Sequence, residues 1–177
     1  DSILISTTSW TDDELFSILL EALPALSAAV PISLLILITG KGSGKKNFEN
    51  EFQKLRLPNI DLCTGWVDAC DYPLFLGIAD VGMSFHSSTS GLDLPMKIVD
   101  MLGAELPIVA YFFSALFELT SEVNALEFHT AQELCECLYR LTVQDTELRD
   151  KGHNLSRKWR KLDWNSQWTQ KALEVFS

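Results

Sequence analysis

Apolar positions in this chain recur at two spacings, one suited to buried strands and one to amphipathic helices. Ser2 to Thr7 is a short β-rich run. Thr11 and Glu14 then have the spacing of a capping box, ahead of Leu15, Ile18, Leu19, Ala22, Leu23 and Leu26 at helical intervals. Strand, loop and helix are predicted in that order. Ile32 to Thr39 is a continuous apolar run of the kind buried on both faces of a parallel sheet, and it stops at Gly40, Lys41, Gly42, Ser43 and Gly44. A second strand and helix follow, with Phe48, Phe52 and Leu55 on one helical face. Ile60 to Cys63 predicts a third strand, and Tyr72, Phe75, Leu76 and Ala79 the next helix.

Val81 to Phe85 predicts a fourth strand, which runs into the polar segment from His86 to Gly91. A helix from about Pro95 to Gly103 leads to a fifth strand at Pro107 to Tyr111, and Ala125 to Phe128 is a weaker sixth. Leu134, Leu138 and Leu141 place one more helix. The tail from Thr146 to Phe176 has helical character and carries Trp159, Trp164 and Trp168. The alternation predicts the α/β class: a Rossmann-like parallel sheet of about six strands with helices on both faces. Ligands in such folds bind outside the carboxyl ends of the strands.

Composition narrows the classes. With 177 residues, 47% hydrophobic and 21% charged, the chain has the size of one domain with a full core. No run reaches the roughly 18 uninterrupted apolar residues of a bilayer span, so any membrane attachment is expected elsewhere. The first residues lack the pattern of a secretory signal, and the chain reads as cytosol-facing. A net charge of −10 argues against nucleic acid as a partner. Cys63, Cys70, Cys135 and Cys137 lack paired CxxC spacing and are expected to be reduced, mostly structural thiols.

The loop from Gly40 to Lys46 does not match a phosphate loop, because Thr39 holds the place of the first glycine and Lys46 that of the Ser/Thr. An ATPase is excluded on that ground. Taken alone, this loop reads better as a solvated turn than as a diphosphate contact, although Gly40 and Lys41 suit the second role as well. The segment from Ser88 to Ala110 is more specific. It places Ser90, Gly91, Leu92, Asp93, Leu94, Pro95, Met96 and Lys97 before Asp100 and Gly103, then Pro107, Ile108 and Val109.

This segment resembles the donor-site signature of GT-B glycosyltransferases. Its Ser-Gly-Leu-Asp-Leu-Pro-Met-Lys form is particularly similar to the chitobiosyldiphosphodolichol β-mannosyltransferase family. Supporting matches are Ser6 to Trp10, Thr39 to Gly42, Asp71 to Leu74, and Ala79 with Asp80. The resemblance implies the C-terminal, donor-binding half of a two-domain enzyme. It implies GDP-mannose as donor, dolichol-linked chitobiose as acceptor, and inverting transfer at the cytosolic face of the endoplasmic reticulum membrane. The acceptor and membrane half would be the N-terminal domain, toward which residues 146–177 are expected to pack.

The residues carry their own chemistry. Asp100, on the first turns of a helix, can accept hydrogen bonds from ribose hydroxyls. Main-chain N–H groups from Ser90 to Leu92, with Ser88 and Gly91 beside them and the helix dipole behind, favour a diphosphate, and Lys97 adds a compact positive charge. The alternative is that Lys97 and Asp100 form a helical surface pair. His86 stands either where a sugar or phosphate oxygen would pass or as a hydrogen-bonded strand end. By the resemblance Trp66 stacks on guanine, and an ordinary core aromatic is the equal alternative. Two departures stand out: Ser90 lies near the place of a common glutamate, and Ala125 replaces a glycine after Asn124. No DxD triplet occurs, so no metal or other cofactor is expected, and no residue is assigned as the catalytic base. The rivals are another nucleotide-sugar transferase and an inactive paralogue that binds nucleotide sugar without turnover.

Overall fold

The computed structural model describes residues 1–87, 90, 92–120, 125–145, 147, 149–150, 153–154, 157 and 164–176. Six strands form one sheet: β1 (Ser2–Thr7), β2 (Leu34–Thr39), β3 (Ile60–Gly65), β4 (Val81–Ser84), β5 (Ile108–Tyr111) and β6 (Ala125–Phe128). Their order is β3-β2-β1-β4-β5-β6 and every pairing is parallel. The helices are α1 (Phe16–Ala29), α2 (Lys45–Leu55), α3 (Tyr72–Gly77), α4 (Met96–Gly103) and α5 (Ala131–Tyr139). The described tail is helical from residue 164 to 176, with Trp168, Leu173 and Val175 exposed. The expected α/β sheet is therefore present, strand for strand.

Burial on both faces explains the apolar strands. Leu4, Leu34, Ile36, Ile38, Val81 and Met83 join α1 and α5 residues such as Leu19, Leu23, Leu134 and Leu138 in one core. Ile5, Ile108 and Ala110 join Ile98, Met101 and Leu102 of α4 in the other. Each of the larger side chains, Ala110 excepted, contributes about 1.5–3 kcal/mol by leaving water. A Cβ at Gly82 of β4 would lie 2.7 Å from Met101 Sδ, so this glycine lets α4 sit close against the sheet. That contact sets the position of Lys97 and Asp100.

One local expectation fails. α1 begins at Phe16, its N-cap Leu15 makes no side-chain cap, and Thr11 Oγ1 bonds Ser9 Oγ instead. Glu14 is taken by a tertiary ion pair, which outweighs a local cap on a surface turn. A capping box forms instead between Thr130 and Glu133 at the start of α5. All four cysteines are free, with Cys63 and Cys70 exposed rather than part of a core. Burial, aided by Glu133 and Glu136, pushes the Cys137 thiol up to about 11.

Candidate functional site

In a sheet of this order the chain turns in opposite directions from β1 and β4, and the loops leaving their carboxyl ends diverge to leave a crevice. A cavity of about 580 Å³ lies there. Its walls come from Thr7 to Ser9 after β1, Thr39 and Gly40 after β2, Trp66 and Val67 after β3, and His86, Asp93 and Met96 to Lys97 after β4. Four loops distant in sequence thus meet at one sheet edge.

The glycine-rich loop after β2 is shaped by packing. A Cβ at Gly40 would lie 1.8 Å from the Thr8 carbonyl oxygen, and one at Gly42 would lie 2.0 Å from that of Ser9. These glycines let the β2 loop press on the β1 loop, which explains the composition without a phosphate. The β1 loop is itself tightly held. Trp10 adopts φ 55, buried between Phe16 at 5.1 Å and Phe48 at 5.3 Å between ring centres. Such a backbone persists only where its surroundings over-determine it.

Lys97, at the second position of α4, forms an ion pair with Glu14 of the β1 loop, both side chains being largely buried. This replaces the surface pair with Asp100. Asp100 is exposed, accepts a hydrogen bond from the Tyr72 hydroxyl at 3.3 Å, and faces a neighbouring groove between α3 and α4. Tyr72 lines both the cavity and that groove, so one phenol separates Asp100 from Lys97. Burial raises the Tyr72 pKa above the usual phenol value, against a hydrogen bond with the Thr7 side chain.

His86 follows β4 and pairs with Glu14 in an isolated antiparallel bridge. Its ring lies between carboxylates, with Nε2 2.6 Å from Asp93 and Nδ1 3.4 Å from Asp13. The Thr11 hydroxyl holds the Asp13 carboxyl below its ordinary range, with smaller help from His86 and Lys97. Trp66 is 57% exposed at the cavity mouth, so it is no core aromatic, and Lys41 Nζ sits 4.1 Å from its ring centre.

Ser90 Oγ donates to Asp93 at 3.0 Å and accepts from the Leu92 N–H at 3.2 Å. That N–H is therefore engaged, and α4 starts only at Met96. Ser88 and Gly91 lie outside the described residues, as do Trp159 and Asn124; Ala125 opens β6 and is buried.

The structure thus gathers Gly40, Trp66, His86 and Lys97 around one cavity, with Lys41 over its mouth and Asp100 beyond Tyr72. Sequence reasoning assigned nothing here to Asp13, Glu14 or Tyr72. For Asp13 and Glu14 the signal was position, in the loop that leaves the carboxyl end of β1 at the switch point, whereas Tyr72 follows the edge strand β3 and reaches the cavity as the first residue of α3.

No protein-family model matches the chain. It is 40% identical over 184 residues to chitobiosyldiphosphodolichol beta-mannosyltransferase of Pongo abelii, covering 98% of this chain and 39% of that protein. It is also 40% identical over 156 residues to UDP-glycosyltransferase TURAN of Arabidopsis thaliana, covering 77% of this chain and 34% of that protein. Among solved structures, Anabaena HepE in complex with UDP and glucose superposes with a TM-score of 0.77 at 16% identity. That match covers 99% of this chain and 48% of HepE, and it shows the fold. The chain spans about two fifths of the length of the curated mannosyltransferases it matches. With alignments that run over nearly all of its residues, the chain belongs to the chitobiosyldiphosphodolichol beta-mannosyltransferase family of glycosyltransferases.

Proposed function

We propose that this chain is the single nucleotide-sugar-binding domain of an inverting mannosyltransferase. In this reading it binds GDP-mannose, and the complete enzyme adds β-mannose to GlcNAc2-diphosphodolichol at the cytosolic face of the endoplasmic reticulum membrane. The observation that carries it is the convergence of Gly40, Trp66, His86 and Lys97 on one cavity at the switch point. Trp66 offers a face for the guanine, with Lys41 above it. Lys97 and Lys41 offset the diphosphate charge, and Ser90 borders it. Asp100 receives the ribose hydroxyls once the Tyr72 hydroxyl yields its place. The same groups stabilise the departing GDP as the sugar becomes oxocarbenium-like.

No side chain here is assigned as the base that deprotonates the acceptor hydroxyl. That group, the lipid-acceptor surface and the membrane anchor belong to the rest of the enzyme, onto which the helical tail packs. The domain alone is expected to transfer no mannose, because it cannot position an acceptor.

Titration of the chain with GDP, UDP and ADP tests the assignment. GDP is expected to bind most tightly, and equally well with a chelator present. UDP binding as tight as GDP or tighter would remove the mannosyl-donor assignment. A second reading, in which the donor is a uridine diphosphate sugar, is favoured by the name of the Arabidopsis relative. The same titration separates the two. An inactive paralogue would bind the donor yet give no turnover when joined to an acceptor domain.

A further inference from the structure

The cavity wall carries charge that a diphosphate alone does not call for. Asp13, Glu14 and Asp93 line it beside Lys97 and His86. Three carboxylates therefore face one lysine and one imidazole. Carboxylates repel phosphate, but they accept hydrogen bonds from hydroxyls, the group a hexose presents on most of its edges. Two of the three are engaged: Asp93 by His86 and Ser90, and Asp13 by Thr11 and His86.

Glu14 differs. Its side chain is 3% exposed and Oε1 meets Lys97 Nζ, while Oε2 is buried with no hydrogen-bond partner among the described residues. A charged oxygen taken from water and left unbonded calls for an occupant. The loop cannot simply turn it outward. Leu15 N–H donates to the Phe85 carbonyl at 3.0 Å and Ser87 N–H to that of Asp13 at 2.7 Å, fastening both sides of Glu14 to the end of β4. Trp10, in its left-handed conformation, anchors the start of the same loop.

We infer that Glu14 is a specificity-determining residue of this site, fixing Lys97 through Oε1 and accepting a hydroxyl of the donor's hexose at Oε2. The inference rests on the nucleotide-sugar reading of the cavity. It divides the site chemically, with Trp66 and Lys41 on the base side and the carboxylates on the sugar side. It also fixes a sign. Glu14 offsets the charge of Lys97, so its removal deprives the sugar of a partner while leaving the diphosphate a stronger cation. A water bridging Oε2 to the buried Trp10 Nε1, which also has no partner among the described residues, is the rival occupant, since Trp10 and Glu14 together line a smaller adjoining cavity.

Calorimetry on the full 177-residue chain with GDP, GDP-mannose, UDP and UDP-glucose tests this in the wild type and Glu14→Met. The hexose increment is the ratio of affinities with and without the sugar. Glu14→Met is expected to lower it by about tenfold. If Glu14→Met is unfolded at the assay temperature, Glu14→Met/Lys97→Met measured against Lys97→Met must show the same loss. An unchanged increment with only a lowered melting temperature identifies the water bridge and overturns the inference. Equal weakening with and without the sugar overturns it too, as does a wild type that shows no increment. The base that the wild type prefers tests the nucleotide assignment separately. A lost increment on UDP-glucose would sustain Glu14 while refuting GDP-mannose.

Discussion

Lys97 makes its ion pair with Glu14, 83 positions earlier in the chain, although Asp100 stands one turn away on the same helix. The helix therefore does not spend its two charges on each other. Lys97 is drawn into the cavity wall by the β1 loop, and Asp100 turns to the Tyr72 hydroxyl. Two charged groups three residues apart thus serve two neighbouring recesses.

That separation predicts that Asp100 acts on the nucleoside. Asp100→Asn should weaken guanosine and GDP by the same factor, about 1.5–3 kcal/mol, as expected for a hydrogen bond to a charged group. Calorimetry with both ligands checks it. A loss confined to GDP would place Asp100 on the phosphates instead.

Trp66, exposed at the cavity mouth, should stack on the base. Trp66→Ala is expected to weaken guanosine and GDP alike by about 1–3 kcal/mol, the range for a base on an aromatic face. Guanosine should also perturb the fluorescence of the wild type more than that of the variant. Unchanged affinities would remove Trp66 from the site.

Gly40 is expected to tolerate no side chain, because its Cβ would lie 1.8 Å from a backbone carbonyl. Gly40→Ala should destabilise the fold by about 1–3 kcal/mol in urea unfolding. Gly65, one hydrogen bond away, is the control: a Cβ there meets nothing within 4 Å. Gly65→Ala should change stability by less than about 0.5 kcal/mol.

The start of α5 supplies a pH test. Glu133 accepts the His129 N–H at 2.6 Å and the Thr130 N–H at 3.1 Å, and the first of these bonds chiefly holds its pKa below the ordinary 4.5. A carboxyl whose folded pKa is depressed stabilises the fold fully above its unfolded pKa, and loses that contribution as pH falls through the folded value. Glu133→Gln should lower the melting temperature at pH 7, and the difference should close on acidification below about 4.5. A constant difference down to pH 3 would contradict the bond.

The strands were legible because burial on both faces writes continuous apolar runs, and five helices because one stripe of each meets the sheet. Lys97 and Gly40 were legible as residues of a strand-end motif. Glu14 was misread because Thr11 and Glu14 have capping spacing, and a local pattern cannot reveal a lysine in a distant helix. Tyr72 was read only as a core position of α3, since its second wall, toward Asp100, exists only after α3 and α4 pack side by side. The glycines after β2 showed their reason only in the pressure of the β1 loop against them.

The proposed binding of a nucleoside diphosphate at Lys97 gives the cavity at the carboxyl ends of β1 to β4 its function. It is tested most directly by the affinity of wild type and Lys97→Met for GDP and for guanosine at two salt concentrations, with thermal melts to confirm folding. Lys97→Met should weaken GDP by at least about tenfold and guanosine hardly at all, and added salt should shrink the gap between the two proteins. A folded Lys97→Met that binds GDP as the wild type does would mean that the diphosphate lies elsewhere.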